Sequence, residues 1–188
     1  MDGVSETDQQ RIFNVTASRA GEVFLLSLWL QGQMSDLLVL HEHRELIAPF
    51  VADPAVMPAE FVQLRTAAWE RDFAPVAADF IAAFGGDIEQ QDRADLTYLG
   101  ALRNAIAHAH VSIARPYLLY RPQQAREGRV LDALKVQPRS GASEPPLLKL
   151  DFTDDARYLG DFERIARLDR GCFARVAASV GVPHSRIR

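Results

Sequence analysis

From Ser18 to Glu45 the sequence reads as one long helix whose apolar residues, Val23, Phe24, Leu26, Leu28, Trp29, Leu30, Leu37, Leu38 and Leu40, fall on more than one stripe. A helix that is apolar most of the way round must be covered on most sides, so other elements have to wrap it. The 188 residues suffice for one domain with a real core, and a second copy of the chain is a further source of cover. The apolar run Val23–Leu30 resumes at Leu37–Leu40. Gln31, Gln33 and Asp36 interrupt it short of the roughly 20 residues a spanning helix needs. The acidic start, Met1 to Gln10, has no basic segment leading into an apolar core, so no signal peptide is expected. The reading is a buried helix in a cytoplasmic protein, with no membrane contact.

Residues 1–15 read as a loosely docked arm. A second helix is expected from Pro58 to Phe84, with Pro58 at its first position, Pro75 as a kink and Gly85-Gly86 as the stop. A third runs from about Asp87 to Ile113, ahead of Arg115-Pro116. Residues 117–152 then read as a β insert. Tyr117–Tyr120 and Leu147–Phe152 look like strands, the latter from its alternation of Leu148, Leu150 and Phe152 with Lys149 and Asp151. Arg129–Val136 reads as a third strand or, alternatively, a helical turn. A last helix over 153–181 is capped at Thr153-Asp154-Asp155 and stopped by Gly181 before Pro183. The expected fold is mainly α, a single domain over residues 1–188. It is a bundle of four long helices with a small antiparallel β-hairpin or sheet insert before the last one.

One segment carries chemistry, Leu102-Arg103-Asn104-Ala105-Ile106-Ala107-His108-Ala109-His110. Arg103-Asn104-x3-His108 resembles the Arg-x4–6-His signature of the HEPN (higher eukaryotes and prokaryotes nucleotide-binding) superfamily, including the frequent polar residue after the arginine. The resemblance covers residues 18–113 and 153–180 in architecture, and the insert matches only loosely. It implies a helical bundle, a homodimer, and a metal-independent ribonuclease of the kind found in toxin–antitoxin, abortive-infection and CRISPR systems. A cognate antitoxin protein is then an expected partner, and no cofactor or metal is implied. By resemblance His108 is the acid/base, Arg103 the phosphate clamp and Asn104 an orienting hydrogen-bond group. Those residue types suit the reaction. Histidine exchanges protons near neutrality, and a guanidinium fork stabilises charge growing on phosphoryl oxygens.

Helical geometry complicates that assignment. If the third helix continues to Ile113, then Leu99, Leu102, Ile106, Ala109 and Ile113 form its core stripe, and Arg103 and His108 stand roughly 140° apart. One copy does not bring both onto one phosphate, whereas a two-fold dimer places two Arg/His sets in one cleft. The small residues Gly100, Ala101 and Ala105 would admit a second helix beside His108. The plain alternative is a hydrogen-bonded Asn104/His108 pair on a solvated face, with Arg103 snorkelling past it. A toxin branch of the family continues Arg-x4-His-x-Tyr, and a partner nucleotidyltransferase modifies that tyrosine. Here the position is His110, which excludes regulation of that kind. His110 is either an accessory acid/base or a histidine at the edge of the core.

The charge is divided along the chain. Residues 1–90 carry a net −9 and residues 91–188 a net +5, for −4 overall. Nineteen of the 21 basic residues are Arg, the exceptions being Lys135 and Lys149. That usage fits a GC-rich genome as readily as bidentate phosphate contacts. The division suggests a face after residue 90 that accepts a polyanion. Arg115, Arg121, Arg126 and Arg129, beside Tyr117 and Tyr120, are the residues expected to meet single-stranded RNA. The bland reading is a solvated hairpin. Two further readings carry less. His41 and Glu45, at i,i+4 on one helix face in His41-Glu42-His43-Arg44-Glu45, have the spacing of a helical metal site that His108-x-His110 could complete, but no Glu-x-x-His or His-Glu-x-x-His repeat accompanies them. Cys172 reads as a small buried hydrophobe.

Overall fold

Residues 33–40 are buried on every side, so this part of the long apolar helix is wrapped as the sequence requires, whereas Leu25 and Leu28 earlier on it are exposed. The computed structural model describes residues 6–53, 55–111, 115–123, 127–135 and 147–188. Over these the chain is mainly helical, with a two-stranded antiparallel sheet. The elements are α1 (Glu6–Glu42), α2 (Ile47–Ala52), α3 (Ala59–Trp69), α4 (Phe73–Ala83), α5 (Gln90–Ala107), β1 (Tyr117–Tyr120), α6 (Glu127–Leu134), β2 (Leu148–Asp151), α7 (Asp155–Arg167) and α8 (Ala174–Val180). A π-helical stretch, Leu168–Phe173, joins α7 to α8.

By length and composition α1 is long and apolar enough to cross a membrane. Two-thirds (67%) of its most apolar window, however, is buried inside the protein. The polar residues that break its apolar run are themselves buried and partnered. Gln31 donates to the Arg71 carbonyl at 2.7 Å, Gln33 reaches Asp169 at 3.3 Å, and Asp36 pairs with Arg65 at 2.8 Å.

Several expected boundaries move. The expected arm over 1–15 is helical from Glu6, and α1 is a single 37-residue helix. The expected helix over 58–84 is two helices, parted at Glu70–Asp72. In a continuous helix Pro75 would lack the amide for the Arg71 carbonyl and its ring would press on that carbonyl. Restarting after Asp72 puts Pro75 in a first turn, where its missing N–H loses no bond. The freed Arg71 carbonyl is the one that Gln31 takes. The third helix ends at Ala107 rather than Ile113. Its last turn tightens through Ala109 N–H to the Ile106 carbonyl (3.2 Å), and His110 then exchanges both backbone bonds with Leu119 at 2.7 and 2.9 Å. The segment Arg129–Val136 is the helical alternative: α6 covers it to Leu134, and residue 136 lies outside the described residues.

Other expectations hold in detail. Asp154 Oδ1 accepts from the Ala156 and Arg157 amides, the cap expected for the last helix. Gly181 adopts φ +93° where that helix stops, and the amides of Gly181 and Val182 both close on the Ala177 carbonyl. In the sheet, Leu118 faces Leu150 and Tyr120 faces Leu148, with Leu118, Leu148 and Leu150 buried. The other face carries Tyr117, Leu119, Lys149 and Asp151.

The chain divides into two compact units, 1–26 with 98–163 and 27–97 with 164–188. The first has Val23, Leu99, Leu102, Ala105, Leu118, Leu150 and Phe152 in its core. The second is built on aromatic contacts, Phe50 on Phe61 at 4.7 Å and Phe80 on Phe173 at 5.4 Å. It also holds four buried carboxylates. Asp95 binds Arg164 (2.6 Å) and Arg167 (2.8 Å), Asp92 binds Arg175 (2.5 Å), and Asp169 binds His184 and Arg188 (3.1 Å each). Asp36, the fourth, is pushed up to about 7 by burial, against the opposing pull of Arg65. Burial likewise pushes the Cys172 thiol up to about 12, with Asp92 adding to it, so Cys172 is an inert buried group.

Candidate functional site

The Arg-Asn-x3-His segment occupies the end of α5, in the first unit. Leu99, Leu102 and Ala105 are fully buried there, and this anchors the helix and sets Arg103 and Asn104 at the margin of the core, half-buried. Arg103 Nη1 donates to Asn104 Oδ1 at 2.9 Å, and its guanidinium lies 5.5 Å from the centre of the Phe24 ring. Its Nε is buried with no hydrogen-bond partner among the described residues. The arginine is therefore laid back along its own helix and α1.

His108 is the first residue past the helix, tied by its backbone amide to the Asn104 carbonyl at 3.2 Å. Its ring is exposed and makes no side-chain hydrogen bond among the described residues. The structure joins Arg103 to Asn104 and does not join either side chain to His108. Because the helix stops at Ala107, His108 sits on a turn rather than on the helix face opposite the core. The Asn104/His108 link is a backbone bond rather than a side-chain pair. Gly100 and Ala105 are already buried within the chain, so the small-residue patch is not an open seat for a second helix. His110 is exposed and fixed by its backbone to Leu119. It is therefore not the histidine at the edge of the core that a continuing helix would make it.

Past the turn the chain enters a basic and aromatic surface. Arg115 Nη1 donates to the Tyr117 hydroxyl at 3.2 Å, and Arg115 and the Lys149 ammonium lie 5.8 and 4.9 Å from the centre of the Tyr117 ring. Arg121 and Arg129 are exposed, and Arg126 lies outside the described residues. Beside this surface is a cavity of about 230 Å³, lined in part by Thr16, Ile106, Val111, Arg115 and Tyr117. Chemically the region offers an exposed imidazole, cations with aromatic neighbours and a recess next to them.

No family model, no characterised protein and no solved structure matches the chain.

The ion pairs show where the positive charge is spent. Arg164, Arg167, Arg175 and Arg188 are tied to buried carboxylates, and Arg186 donates to the Phe50 and Asp53 carbonyls. The basic half of the sequence is in good part internal cement, which the charge division alone does not reveal. Asp92 and Asp95 lie beside the Leu96/Leu99 stripe, and Asp36 lies inside an apolar run. A carboxylate on a core face is the signal that it is paired and buried. His41 packs edge-on against Phe84 at 4.9 Å, and α1 ends at Glu42 before Glu45. Among the described residues no three His, Cys, Asp or Glu side chains gather as a metal ion needs.

Proposed function

We propose that the chain is a HEPN-like, metal-independent endoribonuclease, cytoplasmic and of toxin or defence type, acting as a homodimer. The observation that carries this reading is the Arg103-Asn104-x3-His108 segment at the end of a core helix, with His108 exposed and the Arg115/Tyr117/Lys149 surface following it in the chain. A ribose 2′-OH attacks the adjacent phosphorus, the P–O5′ bond breaks, and a 2′,3′-cyclic phosphate and a free 5′-OH result. His108 exchanges the proton, Arg103 stabilises charge on the non-bridging oxygens, and Asn104 holds the guanidinium. His110 is an accessory proton carrier. Arg115 on the flank of the insert and Arg121, Arg126 and Arg129 within it take the RNA backbone. Within one chain Arg103 is bound to Asn104 and not to His108, so a dimer that brings two Arg/His sets together is part of the proposal. RNA cleavage in the presence of a chelator by wild type, Arg103→Ala and His108→Ala tests it. Loss in both variants supports the proposal, and equal activity in all three removes it.

A second reading, a noncatalytic HEPN-like module that binds RNA, nucleotide or an antitoxin protein, draws on one specific feature. Arg103 is already engaged with Asn104 and Phe24, as a residue with a packing role would be. It predicts RNA binding without turnover.

A further inference from the structure

The cavity beside β1, of about 230 Å³, has no part in the reading above. It is smaller than the roughly 300 Å³ at which drug-sized sites begin. At about 30 Å³ for a small group, the share of a liquid water, it has room for about seven or eight of them. Its floor is buried: Ala20 and Leu118 are each 4% exposed. Phe13 and Ile106 add apolar wall. Gly21 leaves α1 bare there, and a Cβ added to it would meet nothing within 4 Å. Thr16 also lines the cavity, but its hydroxyl oxygen has almost no accessible surface and so faces elsewhere. A nucleobase edge, with several donors and acceptors, would lose its water inside without replacement, whereas an aliphatic chain has none to lose.

The polar groups stand at the rim. Val111, 59% exposed, and the exposed Arg115 line the cavity where it meets solvent. Arg115 Nη1 donates to the Tyr117 hydroxyl at 3.2 Å, and neither side chain has a carboxylate partner among the described residues. The phenol still has its proton to donate, and the guanidinium keeps further N–H donors. The Lys149 ammonium, 4.9 Å from the centre of the Tyr117 ring, adds a second positive charge. Asp151, opposite Tyr117 in the sheet, turns Oδ1 to the Thr153 amide and hydroxyl at 2.8 and 2.6 Å. The rim therefore offers donors and positive charge over an apolar interior.

We infer that this cavity binds a medium-length aliphatic carboxylate, its chain against Ile106 and Leu118 and its head group on Arg115 and the Tyr117 O–H. The guanidinium and phenol donors are close enough for one carboxylate to take both, and such charge-assisted bonds are the strong ones. The site is built from residues of the first unit alone. Arg115 is also given to the RNA backbone above, but the inference does not rest on that reading, and its test contains no RNA.

The test titrates the full chain by calorimetry with octanoate, hexanoate, dodecanoate, octan-1-ol and adenine, each below the concentration at which it self-associates. The expected result is saturable binding of one octanoate per chain, with hexanoate about 15-fold weaker, the ratio for two buried methylenes. Dodecanoate gains little over octanoate, because the cavity is full. Binding that keeps rising with chain length, or that occupies many sites per chain, is surfactant adsorption and overturns the proposal. Arg115→Gln brings octanoate down to the affinity of octan-1-ol and leaves octan-1-ol unchanged, which a general loss of packing does not do. Gly21→Leu puts a side chain into the cavity and abolishes octanoate binding, while the thermal unfolding midpoint shows that the variant folds. No binding of octanoate, equal affinity for octanoate and octan-1-ol, or tighter binding of adenine than of octanoate overturns the proposal. So does a folded Gly21→Leu variant that binds octanoate as the wild type does.

Discussion

Arg103 Nη1 and Asn104 Oδ1 are 2.9 Å apart, so the two adjacent polar residues of the Arg-Asn-x3-His segment are bound to each other. Asn104 is then the group that sets where the guanidinium stands, and Phe24 supports it from the other side. On the proposed mechanism Asn104→Ala lowers the rate of RNA cleavage about 10–100-fold with little change in RNA affinity. Arg103→Ala lowers it by at least 100-fold, the scale of removing one preorganised charge-stabilising group. Steady-state kinetics on the two variants check this. An Asn104→Ala variant cleaving at the wild-type rate removes the positioning role.

RNA contact by the insert has its own signature. If Arg115 and Lys149 each neutralise one phosphate, the slope of log affinity against log salt becomes shallower by about 0.7 for each one replaced by Ala. Fluorescence anisotropy with a single-stranded RNA across a salt series measures it. A slope unchanged in both variants places RNA elsewhere.

Asp95 is fully buried with two arginines on its two oxygens. Asp95→Ala removes the buried carboxylate that Arg164 and Arg167 share and is expected to destabilise the protein by about 3–5 kcal/mol. Urea denaturation reads this directly. Because Arg164 and Arg167 remain partly exposed, the lower end of that range is expected.

Asp36 gives a pH dependence of definite sign. Burial raises its folded value to about 7 from an ordinary 3.8. Between those values the folded state keeps a proton that the unfolded chain has lost, so this group's contribution to stability falls as pH rises from about 4 to 7 and is level above that. The full span is about 4 kcal/mol. Asp36→Asn removes the titration, so relative to wild type the variant gains stability between pH 4 and 7. Parallel stability-versus-pH curves for the two proteins contradict this.

The residues that were legible in the sequence are those whose signal is local. The cover demanded by the apolar faces of α1, which appears over residues 33–40 though not at Leu28, the Asp154 cap, the Gly181 stop and the Leu148/Leu150 alternation all rest on neighbours a few residues away. Boundaries decided by distant partners were not legible. The split at Glu70–Asp72 is marked locally only by Pro75, which reads equally as a kink, and the Arg71 carbonyl it frees is satisfied by Gln31 on α1. The end of α5 at Ala107 is sealed by Leu119, a strand residue beyond the turn. The same limit applies to the site. Arg103, Asn104 and His108 were found by their spacing, but the Arg103–Asn104 bond and the buried state of Gly100 and Ala105 depend on what packs around α5.

The most direct measurement is the chemistry of the cut. Purified protein is incubated in chelator with an RNA oligonucleotide and with the same oligonucleotide carrying 2′-O-methyl groups, and the product ends are identified by mass spectrometry. The account predicts cleavage of the unmodified RNA to a 2′,3′-cyclic phosphate, none of the 2′-O-methyl RNA, and none of either by Arg103→Ala or His108→Ala. Cleavage of the 2′-O-methyl RNA, or full activity in both variants, contradicts it.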